Sequence, residues 1–211
     1  MLRFKSSKTV NSLGRRPNIV ACGSGAFNIL HACSGELRDT ASLFAIDKQT
    51  SSAGMHRLCA NDIRMSIISI YESDAGHQQA NKADVAELSE ALIAGEAPVI
   101  AYVCLGRPTG SAGAAAVAEI CSRSNLPLHI IATQPFSREP NRFHDTVKSD
   151  INRLVGSADT FTLVGNEWLV RRVGPKVAIR DAFDLVEQAF LRQTRLILEL
   201  ETQLAEQYRH P

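Results

Sequence analysis

The 211 residues carry a net charge of +1, which provides no global field for nucleic acid or a membrane surface. No apolar run reaches the length of a membrane span, and the N-terminus lacks the apolar core of a signal peptide. Five cysteines (Cys22, Cys33, Cys59, Cys104 and Cys121) form no CxxC pair and read as buried, reduced thiols of a cytoplasmic protein.

Residues 1–16 carry Arg3, Lys5, Lys8, Arg15 and Arg16 among polar residues and predict a disordered basic arm. From residue 17 the pattern alternates strand and helix. Ile19-Val20-Ala21-Cys22 is a short apolar strand, broken by Gly23-Ser24-Gly25, and Ala26 to Cys33 reads as a helix. Leu43-Phe44-Ala45-Ile46 is a second strand, closed by Asp47-Lys48-Gln49, and Ile67-Ile68-Ser69-Ile70 is a third. Asp84 to Ala94 is a helix with Val85, Leu88 and Leu92 on one face, stopped by Gly95. Val99 to Cys104 is an apolar fourth strand; Gly106 to Gly113 reads as a glycine-rich loop, and Ala114 to Cys121 as the helix after it. Leu128 to Thr133 is a fifth strand, Arg142 to Val155 a helix and Phe161 to Val164 a sixth strand, ended by Gly165-Asn166. This alternation predicts a parallel sheet covered by helices on both faces, a Rossmann-like three-layer α/β fold over residues 17–176.

Residues 177–211 differ. No Gly or Pro interrupts Val177 to Tyr208, which predicts one long helix. Phe183, Phe190, Ile197 and Leu204 recur every seven residues, and their apolar neighbours widen the sector to roughly 240°. One sheet face does not cover so broad a sector. Either the helix is buried within its own domain, or its distal half beyond Arg192 needs a second surface from another copy or a partner.

The two glycine breaks carry the functional signal. Both follow strands of a parallel sheet, where ligands bind at the carboxyl ends. Both open helices, whose free N–H groups and partial positive charge favour a phosphate. Other chemistry has little support: the six histidines are scattered and no Cys/His spacing suggests zinc. Gly23-x-Gly25 begins a dinucleotide fingerprint, but Asn28 stands in place of its third glycine.

Taken in order from Asn18 to Gln188, these segments resemble the nucleotide domain of the FtsZ/tubulin family of GTP-binding filament proteins. Gly106-Arg107-Pro108-Thr109-Gly110-Ser111-Ala112 is similar to the family's GGGTG(T/S)G, and Ala21 to Asn28 to its first glycine-rich turn. Phe44-Ala45-Ile46-Asp47 resembles the family's second strand and its ending. Thr133-Gln134-Pro135-Phe136-Ser137-Arg138-Glu139 is similar to T-x-P-F-x-x-E, Val164 to Leu169 to P-N-D-x-L, and Asp181-Ala182-Phe183 to the D-A-F that opens a central helix. Departures accompany the likeness. Arg107-Pro108 replaces two glycines, Ala112 a third, Glu187-Gln188 replaces Asn-Asp, and Phe143 stands where a basic residue is expected.

The resemblance implies GTP or GDP, with Mg2+ accompanying a triphosphate, held by Gly23, Ser24, Gly25, Asn28, Gly106, Arg107, Thr109, Gly110, Ser111, Glu139, Asn166 and Phe183. Backbone N–H groups of the two turns would meet phosphates. Glu139 would accept from a ribose hydroxyl, Asn166 bond the base, and Phe183 stack on it. Read alone, Glu139 is equally a surface acid, Asn166 a helix N-cap and Phe183 a core residue. The resemblance also implies an acidic loop after the central helix that reaches the next subunit's nucleotide. The sequence ends at Pro211, so self-activated hydrolysis is not expected: turnover would be lost or completed in trans. The expected partners are itself or an FtsZ-like filament protein, with neither nucleic acid nor a membrane span. Division, plasmid segregation and filament control all fit. The alternative is a pseudo-GTPase interaction protein that docks through its C-terminal helix.

Overall fold

The computed structural model describes residues 15–48, 63–72, 78–137, 139–173 and 179–207. Most of the expected basic arm, and Cys59, lie outside them. Six strands form one sheet: β1 (Asn18–Cys22), β2 (Ser42–Lys48), β3 (Ile63–Ile68), β6 (Val99–Cys104), β7 (Leu128–Thr133) and β8 (Thr160–Val164). Their order is β3-β2-β1-β6-β7-β8, and every neighbouring pair is parallel. The chain thus moves outward from β1 to β3 on one side, then returns beside β1 with β6 and moves outward on the other. The reversal between β1 and β6 is the topological switch point, where the carboxyl ends of an open α/β sheet leave a crevice.

The alternating faces of fully buried strands account for both helical layers. Ile19, Ala21, Ile100 and Tyr102 point to one layer, shared with α1 (Ser24–Leu37) and the last helix, α6 (Ile179–Gln207). Val20, Cys22, Ala101 and Val103 point to the other, shared with α2 (Ala86–Gly95), α3 (Pro108–Ser124) and α4 (Val147–Val155). A short hairpin, β4 (Ile70–Glu72) with β5 (Gln78–Ala80), and α5 (Asn166–Val173) complete the described elements. Among them no helix is long and apolar enough to cross a membrane. Cys22, Cys33 and Cys121 are buried free thiols. Burial pushes Cys33 and Cys121 up to about 12 and Cys22 higher still, so these sulfurs are packing groups and not nucleophiles.

Three expectations change. The run Gly106 to Gly113 is not a loop: α3 already begins at Pro108, so Thr109, Gly110 and Ser111 form its first turn. The third strand is shifted to Ile63–Ile68, and Ile70 starts the hairpin instead. The helix expected from Arg142 is a single 3-10 turn (Asn141–Phe143) followed by α4.

Candidate functional site

The turn after β1 and the turn after β6 meet. Gly23 has φ +84°, a conformation open to glycine and strained for other residues. A Cβ on Gly23 would lie 3.1 Å from the Gly110 backbone nitrogen and 3.5 Å from Thr109 Cβ. Gly110 in turn fits against the end of β6, where a Cβ would come within 2.6 Å of the Cys104 carbonyl oxygen. The glycines therefore let the first turns of α1 and α3 pack against each other at the switch point. Neither helix has a side-chain cap: Gly23 and Arg107 occupy the N-cap positions, and no side chain there accepts from the first-turn N–H groups. Two helix N-termini with their donors unspent on caps thus adjoin one spot, a concentration of positive partial charge. Pro108 at the first helical position contributes no N–H.

Not every residue of the glycine-rich stretch shares that spot. Ser24, Gly25 and Asn28 are exposed, and Thr109 is buried beside Gly23. Ser111 is turned elsewhere. Its N–H already bonds the Arg107 carbonyl (3.1 Å), and its buried hydroxyl bonds Asp150 Oδ2 on α4. Arg153 closes that cluster by donating to Asp150 Oδ1 at 3.2 Å. Ser111 side-chain chemistry therefore ties α3 to α4.

The segment after β7 packs directly on the α3 turn. Gly106 (φ +78°) has the Phe143 carbonyl oxygen where a Cβ would come within 2.0 Å, and Pro135 Cγ within 2.7 Å. Arg107 Nη2 donates to Glu139 Oε2 at 2.8 Å, and its guanidinium lies 3.7 Å from the centre of the Phe143 ring. Glu139 Oε1 accepts from the Phe136 N–H at 3.0 Å. Glu139 is thus an organised, half-buried acid and not a solvated loop residue. Further along the same edge, Asn166 Nδ2 donates to the Gln134 carbonyl at 2.9 Å, while its Oδ1 is buried without a partner. Asn166 does not cap α5, because a cap needs that oxygen as acceptor. The first turn of α3 thus meets Gly23 through Gly110 and Glu139 through Arg107, and the segment after β7 that carries Glu139 also carries the Gln134 carbonyl bonded to Asn166. Phe183 stands apart from these contacts. It is 55% exposed near the start of α6, which overturns the core reading and leaves an open aromatic face.

One residue of this edge was not singled out from sequence. Asp47, the penultimate residue of β2, follows Ile46, whose carbonyl accepts from the Gly23 N–H (2.7 Å). Asp47 is fully buried. Its Oδ1 accepts from the Lys48 N–H at 2.8 Å and its Oδ2 has no partner. Burial raises its pKa above the ordinary carboxylate value, opposed by the Lys48 N–H and charge. The signal in the sequence was an acid at the carboxyl end of an apolar strand.

The folded protein therefore holds a proton on Asp47 at pH values where the unfolded chain has released it, and stability falls as pH rises from the unfolded carboxylate value of about 3.9. Asp47→Asn keeps the bond to Lys48 and mimics the neutral acid. It is expected to raise stability at neutral pH, with the gain vanishing below about pH 4. Urea unfolding across this range tests it, and a pH-independent difference would refute it.

A separate cleft of about 650 Å3 between α2 and α3, lined by Val85, Ile93, Ala116 and Ile120, lies in the layer that α2, α3 and α4 form. Among the described residues no cluster of His, Cys, Asp and Glu is arranged to hold a metal ion.

No family model matches the chain. It is 30% identical to cell division protein FtsZ 2 of Rhizobium meliloti over 96 residues, 46% of this chain and 28% of that protein. The chain thus spans under a third of the length of this curated relative. Its fold is similar to the empty FtsZ dimer of M. jannaschii, with a TM-score of 0.69 and 20% identity over 89% of this chain and 55% of that one. It is also similar to the GDP-bound monomer of CetZ1 from Haloferax volcanii, with a TM-score of 0.63 and 13% identity over 87% of this chain and 60% of that one. Likeness of sequence and likeness of fold fall on the same group of proteins, and the chain is an FtsZ/tubulin-like domain corresponding to part of them.

Proposed function

We propose that this domain binds GTP or GDP along the carboxyl edge of its sheet and acts in the assembly or regulation of a cytoskeletal filament. The observation that carries the reading is the contact between Gly23 and Gly110, which joins two uncapped helix N-termini at the switch point. Free amides there suit the phosphates. Glu139 is a carboxylate acceptor for a ribose hydroxyl. Asn166 has its amide nitrogen engaged and its oxygen unpaired, an arrangement that favours guanine, whose N1–H and N2–H groups donate. Adenine presents an acceptor at N1. Phe183 offers its exposed ring for stacking. Asp47, with one unpaired oxygen beside the Gly23 turn, would serve Mg2+ arriving with a triphosphate. The solved CetZ1 carries GDP, which supports the same ligand class here. Hydrolysis is not required of the site in this reading: turnover is lost or completed in trans.

Calorimetry with GTP, GDP and ATP tests the proposal, with binding of both guanine nucleotides and weaker binding of ATP expected. Asn166→Ala is expected to weaken GDP by about fivefold and to narrow the guanine preference. A folded sample giving no heat with any nucleotide would refute the reading. Phosphate release in the same samples, alone and with an FtsZ-like filament protein, reads the trans arm.

A second reading is favoured by Leu196 (52% exposed), Leu200 (39%) and Leu204 (37%), which lie one turn apart on α6. Such a stripe suits docking on a filament-forming partner or a second copy. In the same titrations, Leu196→Glu with Leu200→Glu is expected to abolish association in light scattering while leaving nucleotide binding intact.

A further inference from the structure

We propose that Arg107 is the residue that makes this site selective for phosphorylated ligands, by exchanging Glu139 for a phosphate. The inference rests on the nucleotide reading above and concerns how the site distinguishes a nucleotide from its nucleoside.

Arg107 is the N-cap of α3, yet its side chain bonds nothing in the helix it precedes. A cation at a helix N-terminus opposes the helix dipole. Two groups outside the helix hold it there: Glu139, through Nη2 at 2.8 Å, and the Phe143 ring, 3.7 Å below the guanidinium carbon. The arginine side chain is 54% exposed and the glutamate 26%. An ion pair this open to water contributes little, so it is easily exchanged. A guanidinium has five N–H donors, and among the described residues Glu139 is the one hydrogen-bond acceptor of this one. A phosphate offers it bidentate, charge-assisted bonds, which are stronger than the existing contact. It also reverses the conflict with the dipole, because the anion sits between the guanidinium and the amides of α1 and α3.

The exchange has a second consequence at Glu139. Both of its oxygens are engaged, Oε1 by the Phe136 N–H and Oε2 by Arg107. When Arg107 turns to a phosphate, Oε2 becomes available to a sugar hydroxyl. Phosphate capture and sugar capture are thereby coupled through one side chain. A nucleoside lacks the group that draws Arg107 away and must compete with it for Glu139. The Phe143 face serves as a guide, keeping the guanidinium plane in place while its edge changes partners. Pro108 removed one phosphate-binding amide from this turn, and Arg107 supplies donors in its stead.

The test is a titration of the full chain with GDP and with guanosine, using the wild type, Arg107→Ala and Arg107→Lys. Arg107→Ala is expected to weaken GDP by about tenfold or more, while guanosine affinity stays unchanged or rises. Arg107→Lys keeps the charge without the planar fork and is expected to fall between. Unfolding midpoints of the variants verify that the exposed substitution leaves the fold intact. Equal loss for both ligands, or an unchanged or raised GDP affinity in Arg107→Ala, would overturn the proposal. A wild-type chain that binds neither ligand would overturn the nucleotide reading together with it, so the two failures are distinguishable.

Discussion

Phe190→Ala is expected to destabilise the domain by about 3–5 kcal/mol, as truncation of a fully buried aromatic does. Phe190 has no exposed surface. Its ring meets Tyr102 edge-on, with centroids 4.9 Å apart and planes at 74°, a favoured aromatic geometry. Tyr102 lies on β6, at the centre of the sheet, and its hydroxyl bonds Thr194 Oγ1 at 2.6 Å, one helical turn beyond Phe190. Removing the ring opens a cavity between α6 and the sheet and unsettles the seat of that buried hydroxyl pair. The polar contacts along α6 do not compensate. Arg195 pairs with Glu36 on an exposed surface, where ion pairs are worth about 0–1 kcal/mol. His129 Nε2 meets Glu201 Oε1 at 3.0 Å, but this contact lies more than two turns away. Against a total stability of typically 5–15 kcal/mol, the loss leaves little reserve. Urea denaturation followed by circular dichroism measures it. Leu196→Ala, on the exposed face, is the control and is expected to change stability by no more than about 0.5 kcal/mol. Equal effects of the two substitutions would mean that α6 does not pack through Phe190.

The same contrast shows what could be read from sequence. Strands buried on both faces read as apolar runs, so β1, β2, β6 and β7 stand out without tertiary information, while β8, a half-exposed edge strand, shows only the shorter run Phe161 to Val164. β3 does not, because Arg64 and Ser66 interrupt it; the structure lays the Arg64 guanidinium 5.5 Å from the Phe44 ring centre, a partner invisible in one dimension. The start of α3 misleads for a more instructive reason. Gly, Thr and Ser are weak helix formers, so Gly106 to Gly113 reads as loop. Two of the glycines instead let the helix lie close on the sheet: a Cβ on Gly110 would meet the Cys104 carbonyl at 2.6 Å, and one on Gly113 would meet Cys22 Cβ at 3.3 Å. Close packing and phosphate binding thus draw on the same residue types, and the motif alone does not separate them. At the site, the residue types at Gly23, Glu139 and Asn166 were legible, because each has a specific backbone or hydrogen-bonding capacity. The partners were not. That Arg107 holds Glu139, that Ser111 turns to Asp150, and that Asp47 is buried beside the first turn all depend on how distant segments meet.

Gly106→Ala is expected to cost about 2–6 kcal/mol and to damage the site beyond what that loss implies. Two independent penalties meet at this residue. Its φ of +78° strains any side chain by about 1–3 kcal/mol. The added methyl would also stand 2.0 Å from the Phe143 carbonyl oxygen and 2.7 Å from Pro135 Cγ, and overpacking of this kind costs about 1–3 kcal/mol. Full relief of the clash requires the segment after β7 to move away from α3. That segment carries the Gln134 carbonyl that holds Asn166, the Glu139 carboxylate paired with Arg107, and the Phe143 ring beneath the guanidinium. Movement that restores stability therefore separates the two halves of the proposed site, whereas a segment that stays in place retains the strain. GDP affinity and urea stability, measured together, expose this trade: affinity falls as the segment moves, and the less stability is lost, the more the site has opened. Gly35→Ala is the matched control, since a Cβ there meets nothing within 4 Å and alanine in a helix interior gains about 0.5–1 kcal/mol over glycine. A Gly106→Ala chain with wild-type stability and wild-type GDP affinity would show that the post-β7 segment does not rest on the α3 turn, and the coupling of phosphate and sugar recognition through Arg107 would lose its structural basis.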